Sequence, residues 1–189
     1  MINIYRTDNR IISEIDQFDT GAWVKLTAPS LEECAEISDR FHMDIADVRA
    51  ALDDEESSRI NLEDEYTLIL VDIPSAEMRN NRHSYTTIPL GILIAEDVVI
   101  TVCAEETAVL RSFVEQRVRD FSTKKQMRFT YQILYNACMV YQSLLRSIDR
   151  KRTEIEERID QNTEDVDLID LHELESNLVY FATSLRANG

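Results

Sequence analysis

Apolar residues recur along this chain with two different periods, and the change between them falls near residue 124. In the first part, β-branched and aromatic runs at residues 2–5, 11–15, 23–26, 66–74, 85–97 and 98–102 are separated by polar or acidic breaks. Such runs predict the strands of a mixed, largely antiparallel sheet. Helices are expected around them. Ser30-Leu31-Glu32-Glu33 has the form of a capping box, in which the serine hydroxyl meets the amide three residues on and Glu33 reaches back. The helix it opens runs to Phe41, with Leu31, Cys34, Ile37 and Phe41 on one stripe. A short helix over 45–52 follows, capped by Asp44. A third is expected over 106–121, with Val109, Leu110, Phe113, Val114 and Val118 turned inward. Helices on both sides of a block of strands imply a three-layer α/β/α domain over residues 1–123.

From Met127 the spacing becomes helical. Met127, Tyr131, Leu134, Cys138, Tyr141, Leu145, Ile148, Ile155 and Ile159 follow one another in steps of three and four, interrupted only at Arg152. The pattern predicts a helix over 126–160, roughly 50 Å long at 1.5 Å per residue. After a polar break at 161–165, Leu171, Leu174, Leu178, Phe181 and Leu185 predict a second helix over 166–187. Residues 124–189 thus read as a long antiparallel hairpin, with Tyr141, Leu145 and Ile148 facing Leu178, Leu174 and Leu171. The second seam is still running at Leu185, so this helix is expected to be truncated, leaving the apolar side around 127–138 without its partner.

Composition narrows the class. Of 189 residues, 44% are hydrophobic, enough for a core, and Gly and Pro number only three each, which argues against disorder. Cys34, Cys103 and Cys138 have no CxxC spacing and sit among apolar neighbours, so reduced core thiols in a reducing cytosol are expected. The first ten residues have no signal-peptide character, and no window reaches the roughly 18 apolar residues of a membrane span. Taken alone, the chain is expected to be soluble. Its formal net charge is −16. Residues 1–123 hold 25 acids against 11 bases, and segment 44–65 alone holds nine carboxylates and two arginines. That surface repels phosphate backbones and argues against nucleic-acid partners. It attracts cations, although acidity also serves solubility.

Catalysis finds little support, and the chain is not expected to be an enzyme. His42, His83 and His172 have no carboxylate or cysteine at metal-ligand spacing. No HExxH, GxSxG, Walker or GxGxxG pattern occurs, and Gly21, Gly91 and Gly189 cannot build a glycine-rich phosphate loop. The acidic turn Asp53-Asp54-Glu55-Glu56 lacks the ladder of an EF-hand.

The ordered residues Leu52, Asp53, Glu55, Arg59, Asp64 and Tyr66, followed by Pro89, Ile100, Thr101 and Val102, carry a resemblance. Their arrangement, an acidic turn leading through a strand and hairpin to an Ile-Thr-Val strand, resembles the cytoplasmic domain of the CorA family of magnesium channels. The resemblance implies the N-terminal, ion-sensing regulatory domain of a Mg²⁺ or divalent-cation channel. A stalk helix and two membrane spans would follow it, and the Gly-Met-Asn pore motif of the family is absent from this chain. Counting along the strand at 66–74, the resemblance places one regulatory carboxylate at Glu77. It would be half of an inter-subunit Mg²⁺ site whose partner acid lies on a neighbouring stalk; an exposed loop glutamate is the plain alternative. The implied partners are the chain's own subunits, a homopentamer in the full-length protein, with the fragment monomeric or weakly oligomeric. The full-length protein would reside in the cell membrane, with this segment on its cytoplasmic side. No tightly bound cofactor is expected, only weak regulatory Mg²⁺, and the choice among Mg²⁺, Co²⁺, Ni²⁺ and Zn²⁺ stays open. A stand-alone cytosolic interaction module dimerising through the long helix is the main alternative. A metal-dependent hydrolase built on the acidic turn is a distant third.

Overall fold

The computed structural model describes residues 1–79, 82–161 and 165–189, with side chains described for 1–76, 84–159 and 168–189. Seven strands form one sheet: β1 (Ile2–Asp8), β2 (Ile11–Ile15), β3 (Ala22–Thr27), β4 (Arg59–Leu62), β5 (Tyr66–Arg79), β6 (Arg82–Ala95) and β7 (Val98–Cys103). Their order is β2-β1-β3-β7-β6-β5-β4. Every pairing is antiparallel except β3 with β7. That parallel seam joins an N-terminal three-stranded unit, with β1 between β2 and β3, to a C-terminal meander of β4–β7. The crossover between β3 and that meander carries α1 (Leu31–Phe41), α2 (Ile45–Arg49) and a 3-10 turn (Ala50–Leu52). α3 (Ala108–Val114), α4 (Gln126–Gln161) and α5 (Asp165–Ala187) follow the sheet.

Successive strand residues point to opposite faces, and here both faces are covered. Val24, Leu26, Leu68, Leu70, Ile100 and Val102 form one core with Cys34, Ile37 and Val48 of the first two helices. Trp23, Ile73, Leu90, Ile92 and Val99 form the other with Val109, Leu110, Phe113, Phe129 and Ile133. The result is a layered α/β/α arrangement. Double burial explains why all six residues of β7 are buried and its sequence is unbroken apolar or Thr/Cys. The indole N–H of Trp23 donates to Thr101 Oγ1 at 2.9 Å, so the largest fully buried side chain among the described residues carries no orphan donor. Gly91 lets the 3-10 turn approach, since a Cβ there would stand 3.2 Å from the Cβ of Ala51.

The capping box at Ser30 and Glu33 forms with both bonds present, and Asp44 Oδ1 accepts from the Ala46 amide at 2.8 Å. Other expectations are corrected. Leu31 is exposed rather than inward. The helix expected over 106–121 stops at Val114. There Gln116 takes a left-handed φ of 57°, its amide bonds Phe113 O, and the Arg117 amide bonds Ser112 O. That is a Schellman ending made without glycine, so no sequence signal marked it. The polar gap after Pro74 is strand, because β5 and β6 each run 14 residues. Inside the acidic turn, residues 59–62 pair with β5 as a short edge strand whose Ile60 and Leu62 are exposed.

The two long helices lie where the heptads put them, but not on the seams the heptads implied. The buried face of early α4 is Phe129, Ile133 and Ala137, packed on the sheet, while Met127, Tyr131 and Cys138 are exposed. Cys138 is therefore not a core thiol. Further along, Tyr141, Ile148 and Ile155 turn to α5, where Leu174 and Phe181 meet them. The Tyr141 ring stands edge-on to Phe181 at 5.1 Å, so Tyr141 packs on Phe181 instead of Leu178, and the pair runs antiparallel. On α5, Leu178 and Leu185 are exposed, and the other buried positions among the described residues are Asn177 and Ser184. Both are polar because α5 lies on the extended β5–β6 ribbon: Asn177 Oδ1 accepts from the Tyr85 amide at 3.3 Å, and Ser184 Oγ pairs with Thr87 Oγ1 at 2.7 Å. Among the described residues, no helix is long and apolar enough to cross a membrane.

Candidate functional site

The acidic segment 44–65 folds into one corner of the domain, from α2 through the 3-10 turn to the start of β5. A tyrosine organises it. Tyr66 is buried, donates from Oη to Asp47 Oδ2 at 2.7 Å and accepts from the Asp44 amide at 3.1 Å. Burial, reinforced by the hydrogen bond to Asp47, pushes the Tyr66 phenol up to about 12. In the turn itself, Asp53 Oδ1 accepts from the Glu55 amide at 3.0 Å. Glu56 Oε1 accepts from the Ser57 amide at 3.0 Å and pairs with Arg59 at 2.5 Å. These two carboxylates are spent on shaping the turn. Asp54, Glu55, Glu63, Asp64 and Glu65 face solvent.

Glu77 lies on β5, its backbone in register with Ser84 of β6, and its side chain falls outside the described residues, as does that of His83. Close by along the strand, Ser75 Oγ donates to the carboxylate of Glu105, just past β7. Its neighbour Glu106 pairs with Lys25 at 2.5 Å, which lets a lysine side chain only 6% exposed remain in the second core. His42 serves as the left-handed cap of α1, and His172 sits exposed 3.7 Å from Glu175. Neither His42 nor His172 belongs to a metal-enclosing group among the described residues. Among the described residues, no group of three or more His, Cys, Asp or Glu side chains could enclose a metal ion. Cys103 is buried, which pushes its thiol up to about 11 and leaves it unreactive.

The chemistry available to such a surface is limited but definite. Mg²⁺ keeps most of its waters and needs one or two carboxylates, so single exposed acids can each supply half of a shared site. Several of the motif residues prove to be builders of the fold: Thr101 satisfies Trp23, Ile100 and Val102 fill one core, Pro89 O accepts from Cys103, and Tyr66 ties β5 to α2. What sequence reading missed is polar docking. Asn188 accepts from the Asp72 amide and donates to the Asp72 carbonyl, both at 2.8 Å, and Ser58 donates to it at 2.9 Å. The end of α5 is thereby fixed to the edge of β5, next to the acidic corner. Heptad analysis weighs only apolar residues and could not see it.

Comparison with known proteins agrees with this architecture. The family model described as CorA-like Mg²⁺ transporter protein matches residues 18–189. The cobalt/magnesium transport protein CorA of Methanocaldococcus jannaschii is 23% identical over 170 residues, which cover 88% of this chain and 52% of that protein. The structure of the complete CorA magnesium transporter from the same organism superposes with a TM-score of 0.82 at 20% identity, covering all of this chain and 60% of the other. That of its soluble domain gives 0.84 at 21% identity, over 100% of this chain and 76% of that one. The chain spans about half the length of the transport protein it matches.

Proposed function

The chain belongs to the CorA-like Mg²⁺ transporter family, and from that membership we propose that it is the regulatory, ion-sensing portion of a divalent-cation channel, chiefly for Mg²⁺. On this reading residues 1–123 form the sensor and residues 124–189 the helical arm that links it to the transporting part. The sensor faces the cytoplasm of a membrane-bound assembly of identical subunits. The observation that carries the reading is the match over residues 18–189 to a transporter family by a chain whose described helices contain no candidate membrane span. The acidic surface supports it: exposed carboxylates in a domain with 25 acids and 11 bases repel their counterparts on a neighbouring copy. Mg²⁺ held between facing acids, Glu77 among them, neutralises that repulsion and holds neighbours together. Its loss lets them separate, so ion concentration biases a two-state assembly.

Sedimentation of the isolated chain with and without millimolar Mg²⁺, for wild type and Glu77→Ala, tests the division of labour. A monomer or weak oligomer, with Mg²⁺ binding weak and without fixed stoichiometry, is expected, because on this reading one copy supplies only half of a shared site. Tight stoichiometric binding abolished by Glu77→Ala would show a complete site within one copy and overturn the shared-site mechanism.

A further inference from the structure

A chain with nearly two acids for every base nonetheless gathers cations in one place far from the acidic corner. Residues 117–128 hold five bases (Arg117, Arg119, Lys124, Lys125 and Arg128) and one acid, Asp120. The β1–β2 turn brings Arg10 to them. Arg10, Lys124, Lys125 and Arg128 line a cavity of about 290 Å³ with Thr7 and Ser122 on its floor. An adjoining cavity of about 330 Å³ shares Arg10, Asp120 and Phe121 and adds Ile12, Val118 and Arg119. Charge compensation there is incomplete. Lys124 is committed to Asp8 at 2.7 Å, whose carboxyl is held below its usual range first by that bond and then by Arg6. Arg10 reaches Asp120 only at 3.8 Å, and Lys125, Arg128 and Arg119 have no carboxylate partner among the described residues.

Left-handed backbone concentrates at the same place. Of the six non-glycine residues with positive φ among the described residues, Asn9, Arg10, Gln116 and Asp120 border these two cavities. Asn9 and Arg10, at 50° and 68°, form the two-residue turn between Asp8 and Ile11. Such a turn strongly favours Asn-Gly, because both central residues need positive φ. Arginine stands where glycine would cost least. Local rules broken without a packing gain mark functional positions, and strained residues cluster at ligand clamps.

We propose that this cleft binds a polyphosphate-bearing anion, with Arg10, Lys125 and Arg128 contacting the phosphates and the adjoining cavity, where Ile12, Val118 and Phe121 lie beside Gln116, Arg119 and Asp120, receiving an attached group that has both an apolar face and hydrogen-bonding atoms. Charge-assisted bonds from guanidinium and ammonium suit phosphate oxygens, and arginine does so through two parallel N–H donors. The surrounding charge of −16 disfavours free polyanions, so the Mg²⁺-complexed, less charged form is the better ligand.

The test is calorimetric titration of the chain with ATP and, separately, inorganic tripolyphosphate, each with Mg²⁺. Two variants accompany it, Arg10→Gly and the pair Lys125→Gln with Arg128→Gln. Binding of ATP more tightly than tripolyphosphate is expected, weakened roughly tenfold in each variant, as for loss of a charged hydrogen bond. Arg10→Gly should melt at the same temperature as wild type or higher, because glycine relieves the turn. Equal binding of both ligands would place only phosphates in the cleft and leave the proposal standing for inorganic polyphosphate. Absence of binding at millimolar ligand, or affinity unchanged in both variants, would overturn it.

Discussion

Replacing Phe181 with alanine, beside the parallel replacement of Leu178, separates the packing seen here from the packing that heptad spacing implies. Phe181 is 1% exposed and packs edge-on to Tyr141 within the cluster of Ile148, Ile155 and Leu174. Its truncation removes a buried ring from a site that can collapse only partly, a loss of roughly 3–5 kcal/mol. Leu178, on the heptad seam, is 40% exposed, and its truncation is expected to cost about 1 kcal/mol or less. Urea unfolding resolves the difference. With a slope of about 2 kcal/mol per molar, Phe181→Ala should lower the midpoint by about 2 M and Leu178→Ala by less than about 0.5 M. Circular dichroism follows the long helices, and the fluorescence of Trp23, the single tryptophan, follows the sheet core on which the first turns of α4 pack. Equal shifts for the two variants would refute the register, since they would require Leu178 to be as buried as Phe181.

Three further outcomes follow from the geometry. Thr101→Val leaves the fully buried indole N–H of Trp23 without its acceptor and should cost about 1–3 kcal/mol, seen as a lower melting temperature; a neutral result would mean another acceptor takes its place. Tyr66 titrates at about 12 in the fold against 10.0 unfolded. A raised folded value means the stabilisation is complete below pH 10 and is lost as pH rises toward 12. Tyr66→Phe should flatten that alkaline loss, and an unchanged pH profile would remove Tyr66 as its source. Glu106→Ala, which strands the buried Lys25 ammonium, should destabilise more than Lys25→Met, and the reverse order in thermal melts would contradict the pairing.

Much of the fold was legible because its strongest signals are local. Period two with β-branched residues gave the strands, and Ser30 and Asp44 gave the helix starts, because a cap is a bond between near neighbours. The long helices were placed within a residue or so at each end, since nothing competes with 36 and 23 residues of helical spacing. What failed depends on tertiary partners. Helix α3 ended at a left-handed glutamine that carries no glycine signal. The stretch after Pro74 read as a gap because its sequence is largely polar and charged, although residues 75–79 pair with 82–86 as the far part of the β5–β6 ribbon. The seam of α4 shifted because its first turns serve the sheet, where the inward residues are Phe129, Ile133 and Ala137. As for the site, a shared carboxylate has no local motif. Only the family resemblance singled out Glu77, and the cationic cleft assembles from Arg10 and residues more than a hundred positions away.

The most direct measurement of the central claim is Mg²⁺ influx into vesicles carrying this chain joined to the portion of the Methanocaldococcus jannaschii CorA transporter that lies beyond the matched region. It is recorded as internal Mg²⁺ is raised, for wild type and Glu77→Ala. The account predicts influx that shuts off at millimolar internal Mg²⁺ in the wild type and persists to clearly higher concentrations in Glu77→Ala. Absence of Mg²⁺ influx from the wild type, or the same internal-Mg²⁺ dependence in both proteins, would contradict it.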